Sequence, residues 1–131
     1  MALLSTLSFK DITNVYNVRD FRCHYSRHYN HFNPESTPFC ERIEMTVVAP
    51  ETDDYTIYEW YINRSLMTGT LTYELPVTLK SSCDKRSINF VDAQCFSISE
   101  YYNISEPNKR LLKIVIIPEK VTMQDVSFSH L

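Results

Sequence analysis

The sequence contains a single glycine, Gly69, in 131 residues. Loops that cradle phosphate groups depend on glycine, because side chains would keep the backbone N–H groups away from the ligand. The nucleophile elbow G-x-S-x-G also needs glycine on both sides of its serine. The shortage of glycine therefore argues against nucleotide-dependent chemistry and against this class of hydrolase.

The chain also lacks an excess of basic residues and a long apolar segment. Thirteen Lys and Arg against 16 Asp and Glu give a net charge of −3, whereas nucleic-acid-binding domains usually carry a basic surface. No segment approaches the roughly 18 consecutive apolar residues of a membrane helix, and the start MALLSTLSFKD lacks the features of a signal peptide. We therefore expect synthesis in the cytoplasm, no nucleic-acid partner and no membrane insertion.

The sequence has four cysteines, and no two of them form a C-x-x-C pair. In a cytoplasmic protein we expect them to be reduced and to behave as small apolar residues. The sequence leaves open whether any two of them form a disulfide. The four positions are Cys23, Cys40, Cys83 and Cys95.

Candidate metal ligands cluster at His24, His28 and His31, to which Cys23 or Cys40 could add a further ligand. On a strand, His24 and His28 face the same way and His31 faces the other way. The spacing also matches no common zinc pattern. We therefore expect histidines at the surface and no metal.

Candidate catalytic carboxylates are also better explained by structure. Asp53 and Asp54 suit the positive end of a helix dipole, and Glu59 lies within the same helix. Asp92 and Glu100 lie on a strand with no visible partner, whereas glycosidases need two opposed carboxyl groups. We expect no catalytic residues, no cofactor and no enzyme activity.

Aromatic and β-branched residues are abundant. Nine Tyr and seven Phe favour strands, and polar segments at 30–41 and 76–86 favour loops. Imperfect alternation near Arg19 and Asp20 predicts a bulge, and a change of parity within 87–105 predicts a bulge or burial on both faces. A hairpin turn is predicted at 106–108. Alternating apolar residues predict strands within 2–9, 15–29, 42–48, 70–75, 87–105, 111–117 and 121–128.

One amphipathic helix is predicted at about residues 53–66, with Thr52 as a plausible N-cap. Gly69 follows where a left-handed cap or turn is needed before the next strand. The face that packs on the core is predicted to consist of Ile57, Trp60 and Tyr61, with Arg64 at its far end.

Tyr58 and Ile62 lie on this helix but outside that face. A helix that is apolar on more than one side has a second surface to cover. We therefore regard Tyr58 and Ile62 as candidate subunit contacts.

The pattern as a whole predicts one domain, residues 1–131, that is mainly β. Six to eight strands and one helix, without βαβ alternation, indicate a small antiparallel β-barrel or sandwich with a flanking helix. One interpretation is a monomeric barrel that binds a ligand through its aromatic residues. The candidate residues for such a surface are Tyr55, Tyr58, Trp60, Tyr61, Tyr101 and Tyr102.

The chain resembles the Hcp (TssD) tail-tube proteins of type VI secretion systems, in the short form typical of Bacteroidota. The resemblance covers most of the chain from residue 42 onward and depends on an ordered set of features. Loop segments 30–41 and 76–86 depart from the family pattern, and such loops help subunits and stacked rings to meet. The matching features are Ile43–Val48, Asp53-Asp54, Glu59–Asn63, Gly69–Thr72, Asp92–Tyr102, Ile114–Met123 and Ser129-His130.

The resemblance implies a structural protein that assembles as homo-hexameric rings with an open lumen. Rings stack into an inner tube that a contractile sheath expels with a spike protein at its tip. The lumen carries effector proteins, so the subunit is cytoplasmic when assembled and is then secreted without a signal peptide. A divergent accessory paralogue of the tube subunit is an alternative within the same family.

Overall fold

The computed structural model describes residues 5–27, 38–50, 53–76, 83–102, 110–123 and 126–129. These ranges contain eight β-strands and one short helix, α1, at Thr56–Ile62 between the third and fourth strands. The strands are β1 Ser5–Phe9, β2 Val15–Ser26, β3 Phe39–Val48, β4 Leu66–Pro76, β5 Cys83–Tyr102, β6 Arg110–Ile117, β7 Lys120–Met123 and β8 Val126–Ser129.

Six strands close into an antiparallel barrel in the order β1-β2-β3-β6-β5-β4. The closure is made by β4, which pairs with β1 along one edge and with β5 along the other. The long strand β5 pairs with β7 through Ile88–Val91 and with β6 from Gln94 onward. The hairpin of β7 and β8 therefore extends the sheet beside the first half of β5. The prediction of a mainly β antiparallel barrel with one helix is confirmed.

The bulge predicted near Arg19 and Asp20 is present in β2. Its pairing with β3 shifts register between Val18 and Asp20. Before the shift Tyr16 and Val18 are buried, and after it Phe21 takes up the inward position. The extra residue in the bulge therefore lets Val18 and Phe21 both face inward although they are three residues apart in the sequence.

Strand β5 is bulged twice, which explains its change of parity. Ile88 and Phe90 point inward, Asp92 then adopts a positive φ of 50°, and Ala93 and Cys95 are buried on the opposite sequence parity. A second register shift follows between Cys95 and Ser97. Of the two predicted explanations, bulging is therefore the one observed.

The interior of the barrel is filled by side chains. All strands from β1 to β7 contribute, and α1 adds two residues, Ile57 and Trp60. Tight filling of a six-stranded barrel is expected, since a small barrel has room only for its own side chains. The largest fully buried side chains are Trp60, Phe90, Leu7, Ile43, Met45, Ile57, Leu71, Leu112, Ile114 and Ile116.

Helix α1 is shorter than the predicted span of about 53–66. It begins after Tyr55, where Asp54 Oδ1 accepts a hydrogen bond from the backbone N–H of Thr56 at 3.0 Å. Thr52, the predicted N-cap, lies outside the described residues. Just after the helix, Arg64 adopts a left-handed φ of 53°, which turns the chain toward β4.

The buried face of α1 is correspondingly narrow. Ile57 and Trp60 are fully buried, whereas Tyr61, which was predicted to share their face, is 45% exposed. A helix of seven residues makes only two turns, so it presents few positions to the core. The prediction for Tyr61 was therefore wrong.

Trp60 joins α1 to the barrel. Its indole ring stacks on Phe90 with a ring-centroid distance of 6.4 Å and meets Phe9 edge-on at 5.2 Å. Its Nε1–H donates to the carbonyl oxygen of Ala93 at 2.9 Å, in a buried position. Ala93 directly follows the bulge at Asp92, so this hydrogen bond connects the helix to the bulged part of β5.

Gly69 does not form the left-handed cap that the sequence predicted. It lies within β4, between Phe9 of β1 and Phe90 of β5, and its φ is not positive. A Cβ atom there would lie 2.4 Å from the carbonyl oxygen of Ser8 and 2.7 Å from Cζ of Phe90. Glycine is required because three strands and an aromatic ring approach closely.

The predicted loop at 76–86 is shorter than expected, since β4 ends at Pro76 and β5 begins at Cys83. Strand β3 likewise begins at Phe39, inside the predicted loop 30–41. Long hairpins recruit polar residues into paired positions that single-sequence periodicity assigns to loops. The predicted hairpin turn at 106–108 lies outside the described residues.

We predict that Gly69→Ala destabilises the fold by about 1–3 kcal/mol or more, because the added methyl group overlaps backbone and the Phe90 ring. Urea unfolding of the purified protein measures the change. The control Thr72→Ala, on the outward face of the same strand, should lose less than about 1 kcal/mol. Equal losses for both variants would contradict the close-approach explanation.

Candidate functional site

An apolar strip lies on the outside of the barrel. Leu66, Gln94 and Ile117 are neighbours on β4, β5 and β6, and directly paired residues point to the same side of a sheet. Leu66 is 60% exposed and Phe96, two residues beyond Gln94, is 64% exposed. We define the apolar strip as Ile62, Leu66, Phe96, Val115 and Ile117.

The strip continues into a shallow groove of about 460 Å³ beside Phe96. The groove is also lined by Val115 and Ile117 of β6 and by Phe39 of β3. Three charged residues of β3 complete the lining: Glu41, Arg42 and Glu44.

The two candidate subunit contacts differ in their surroundings. Ile62, the last residue of α1, is 71% exposed and precedes Leu66 of the strip by four residues. Tyr58 is half-buried and packs against the core cluster. Its hydroxyl group donates a hydrogen bond to Glu100 Oε1. Ile62 therefore presents an apolar side chain to solvent, whereas Tyr58 connects α1 to β5.

Glu100 also links Tyr58 to β6. The Nε atom of Arg110 lies 3.4 Å from Glu100 Oε1. Burial, followed by the hydrogen bond to Glu100, raises the pKa of Tyr58 to about 12. The phenol therefore stays protonated at neutral pH and remains a donor. The aromatic surface considered from sequence is divided, because Trp60 is in the core while Tyr55, Tyr101 and Tyr102 are exposed.

Asp54 holds the start of α1 against the first strands. Besides the Thr56 amide, its carboxylate accepts hydrogen bonds from Asn14 Nδ2 at 2.8 Å and from the Tyr16 hydroxyl at 2.7 Å. Burial alone would raise the pKa of Asp54, but these hydrogen bonds together hold it below the ordinary value. Asp54 is thus a structural carboxylate, as its predicted place at the helix start suggested.

The described histidine, His24, pairs with a carboxylate. Its Nε2 lies 2.6 Å from Glu44 Oε2 across β2 and β3. This hydrogen bond is the main reason that the pKa of Glu44 is lowered, with Arg42 and Arg22 adding to it. His28 and His31 lie outside the described residues. Within the described part of the chain, His, Cys, Asp and Glu side chains form no group that could hold a metal ion.

Cys23, Cys40 and Cys95 carry thiol groups rather than disulfide bonds. Burial raises the pKa of Cys40 to about 12 and that of Cys95 to about 11. Burial also raises the pKa of Cys23. Since the thiolate is the reactive form, these thiols are protected from modification.

Phe96 is the site residue that the sequence did not single out. Its parity matches that of Ile88 and Phe90, which are buried, so alternation alone points it inward. The bulge at Asp92 moves the inward positions to Ala93 and Cys95, so Phe96 points outward. The break in alternation signalled a bulge, but it could not say which side of the bulge would face solvent.

A family model described as Hemolysin coregulated protein Hcp (TssD) matches residues 1–130. Hcp1 from Flavobacterium johnsoniae has a similar structure, with a TM-score of 0.71 at 16% identity over 97% of this chain and 99% of that one. Hcp1 from Salmonella typhimurium gives 0.71 at 10% identity, over 98% and 93%. The secreted protein Hcp3 from Pseudomonas aeruginosa gives 0.64 at 9% identity, over 98% and 95%.

At these identities the structural likeness establishes the fold, and the family model establishes the family. Among curated protein sequences, none matches the chain significantly. In the ranges that the structure describes, no helix has the length and apolar character needed to cross a membrane.

We predict that Asp54→Asn lowers the melting temperature at neutral pH. The difference in melting temperature between the variant and the wild type should narrow below about pH 4. The folded-state pKa of Asp54 is depressed below its ordinary 3.8. Its charge therefore stabilises above the unfolded-state pKa, and this contribution is lost as the pH falls through the folded-state value. Thermal unfolding of both proteins from pH 7 to pH 2.5 measures this difference in melting temperature. A gap that stays constant with pH would contradict the assigned role.

We also predict that Cys40 and Cys95 react with iodoacetamide at pH 8 at least roughly 100-fold more slowly in the folded protein than in the urea-unfolded chain, because burial keeps them protonated. Site-resolved mass spectrometry follows each cysteine separately. The unfolded chain provides the control for intrinsic reactivity. Equal rates in both states would show that these thiols are accessible.

Proposed function

The chain belongs to the Hcp (TssD) family, the tube proteins of type VI secretion systems, and we propose that it assembles head to tail as homo-hexameric rings with an open lumen. The rings stack into the inner tube of the secretion machine. The sheath and spike proteins of that machine are its partners, and effector proteins travel in the lumen. The subunit is cytoplasmic when assembled and is then exported with the tube. The family match over nearly the whole chain is the observation that carries this proposal.

The exposed apolar strip supports the assembly step. Single exposed apolar residues are normal on a soluble protein, but neighbouring ones on three adjacent strands form a patch of the kind that marks interfaces. Exposed Leu66 and Phe96 lie beside half-buried Ile117 in such a patch, and exposed Ile62 precedes Leu66 by four residues. Burial of this patch between subunits would remove apolar surface from water.

In this proposal the two candidate contacts have separate roles. Ile62 inserts into the contact, which its exposed side chain, four residues before Leu66 of the strip, supports. Tyr58 adds its ring edge and holds α1 in place through Glu100. The two buried anchors of the helix, Ile57 and Trp60, keep Ile62 at a fixed position on the barrel surface.

The alternative of a monomeric ligand-binding barrel receives no support from the barrel interior. A binding barrel needs an enclosed cavity with a few polar groups. Here the interior is occupied by the side chains of the core, including Phe90, Met45 and Trp60. The tube-subunit proposal is therefore the better fit to the structure.

We predict that the wild-type protein has a mass in solution of six times the 15.4 kDa chain mass. Ile62→Glu should weaken each subunit contact by roughly 30-fold, because a charge replaces an apolar side chain that the contact would bury. Light scattering on a sizing column measures the mass, and thermal unfolding tests the fold.

The matched control is Tyr55→Glu, which places the same charge on an exposed residue outside the strip. It should leave the mass unchanged. A wild-type monomer at micromolar concentration would contradict the ring proposal. A hexameric Ile62→Glu variant would contradict the contact assigned to Ile62 alone.

A further inference from the structure

We infer that neighbouring copies of this chain join edge to edge, with strand β2 of one copy adding to strand β5 of the next. We define the β2 edge as Val18–Cys23 and the β5 edge as Cys95–Tyr102. These two edges bound a four-stranded part of the sheet, in the order β2-β3-β6-β5. The inference rests on the proposed ring assembly and names the backbone surfaces that meet.

The β2 edge is paired on one side and open on the other. Strand β1 pairs with β2 only through Val15–Asn17, whereas β3 pairs with it from Val18 onward. The bulge between Val18 and Asp20 begins where the pairing with β1 stops, and bulges commonly end the pairing of a strand. Among the described strands, only β3 therefore pairs with the β2 edge, and the backbone groups of its other side can accept a further strand.

The β5 edge is open on the opposite side of the same four strands. Strand β4 pairs with β5 up to Gln94, and beyond that residue β6 is the only described strand that pairs with β5. Helix α1 lies over a face of β5, since Tyr58 contacts Glu100 and Glu100 pairs with the buried Leu112. The helix therefore covers the core face of β5 and leaves its open side to a further strand.

The two edges lie at the same level and run in opposite directions. One row of paired residues crosses all four strands: Asp20, Thr46, Lys113 and Ser99. Each of the four strands is antiparallel to the next, so β2 and β5 point in opposite directions. In a ring whose axis follows the strands, every copy of β2 points the same way. The β2 edge of one copy therefore meets the β5 edge of the next as an antiparallel pair.

This pairing gives a ring that closes around an open centre. The two edges are separated by β3 and β6, so the contact is heterologous and propagates from copy to copy until the ring closes. Six copies of the four strands form one closed barrel of about 24 strands. Barrels of roughly 16–18 strands already leave an aqueous channel. Closure also pairs the open sides of both edges, which would otherwise attract unrelated strands.

Exposed apolar side chains flank the start of the β5 edge. Leu66 pairs with Gln94 immediately before the edge begins, and Phe96 is the second residue of the edge. Both Leu66 and Phe96 are exposed. The side chains of an added strand lie beside them, so pairing of the two backbones also removes apolar surface from water. The position of the apolar strip therefore agrees with strand addition at this edge.

Cross-linking between copies tests the edge pairing. The double variant Asp20→Cys/Ser99→Cys places one thiol on the outward face of each edge, and both positions are exposed. A bis-maleimide with a two-carbon spacer should then join neighbours into a ladder of products that ends at six chains on a denaturing gel. Within one chain the two positions are three strand spacings apart, roughly 14 Å, so linkage between copies is favoured.

The matched control is Thr46→Cys/Lys113→Cys, in which the two positions face each other on β3 and β6 of one chain. The reagent should link these thiols internally and give no ladder. The wild type, treated in the same way, reports any reaction of the native cysteines. Co-expression of the two single variants, Asp20→Cys and Ser99→Cys, should give two-chain products and nothing longer, because each link uses one chain of each kind.

A hexameric wild type whose assembled double variant gives no ladder would overturn the edge pairing and leave the proposed function standing. A ladder from the Thr46→Cys/Lys113→Cys control would also overturn it, since the links would then not depend on the edges. If the first double variant fails to assemble, Arg22→Cys/Ser97→Cys, on the neighbouring row, carries the same test. A monomeric wild type would instead overturn the proposed function itself.

Discussion

The indole of Trp60 is the contact through which the helix and the barrel depend on each other. It fills the space between Phe9 and Phe90 and satisfies its Nε1–H on the carbonyl oxygen of Ala93. A buried indole must find an acceptor, because an unpaired donor in the core costs on the order of 1–3 kcal/mol. The bulge at Asp92 precedes this carbonyl, and helix α1 carries the ring. Strand, bulge and helix are therefore fixed as one unit.

That unit determines what the barrel shows to solvent. Because β5 is bulged near Asp92, its inward positions move to Ala93 and Cys95 and Phe96 is turned outward. Trp60 and Tyr58 hold α1 against β5, and the last residue of the helix, Ile62, is 71% exposed. The exposure of Phe96 is thus a direct consequence of how the core is packed. A rigid element presents such a surface at low entropic cost.

The sequence predicted the barrel class, the single helix and both irregular strands, since these depend on alternation and on turn residues. It could not predict the length of α1 or the role of Gly69. The glycine at position 69 predicted a left-handed turn there, but it is Arg64 that adopts the left-handed conformation. Gly69 instead leaves room for the ring of Phe90 to pack closely against the backbone of β4. The exposure of Phe96 was equally hidden, because it depends on bulges whose direction is set by tertiary packing. Interactions between distant strands leave no local periodicity to read.

Cryo-electron microscopy of the purified wild-type protein tests the central claim most directly, namely that this barrel is a ring-forming tube subunit. We predict a six-fold ring with an open centre, in which Phe96 and the rest of the apolar strip are buried between neighbouring copies. A monomer, a two-fold dimer, or a ring in which Phe96 faces solvent would contradict the account.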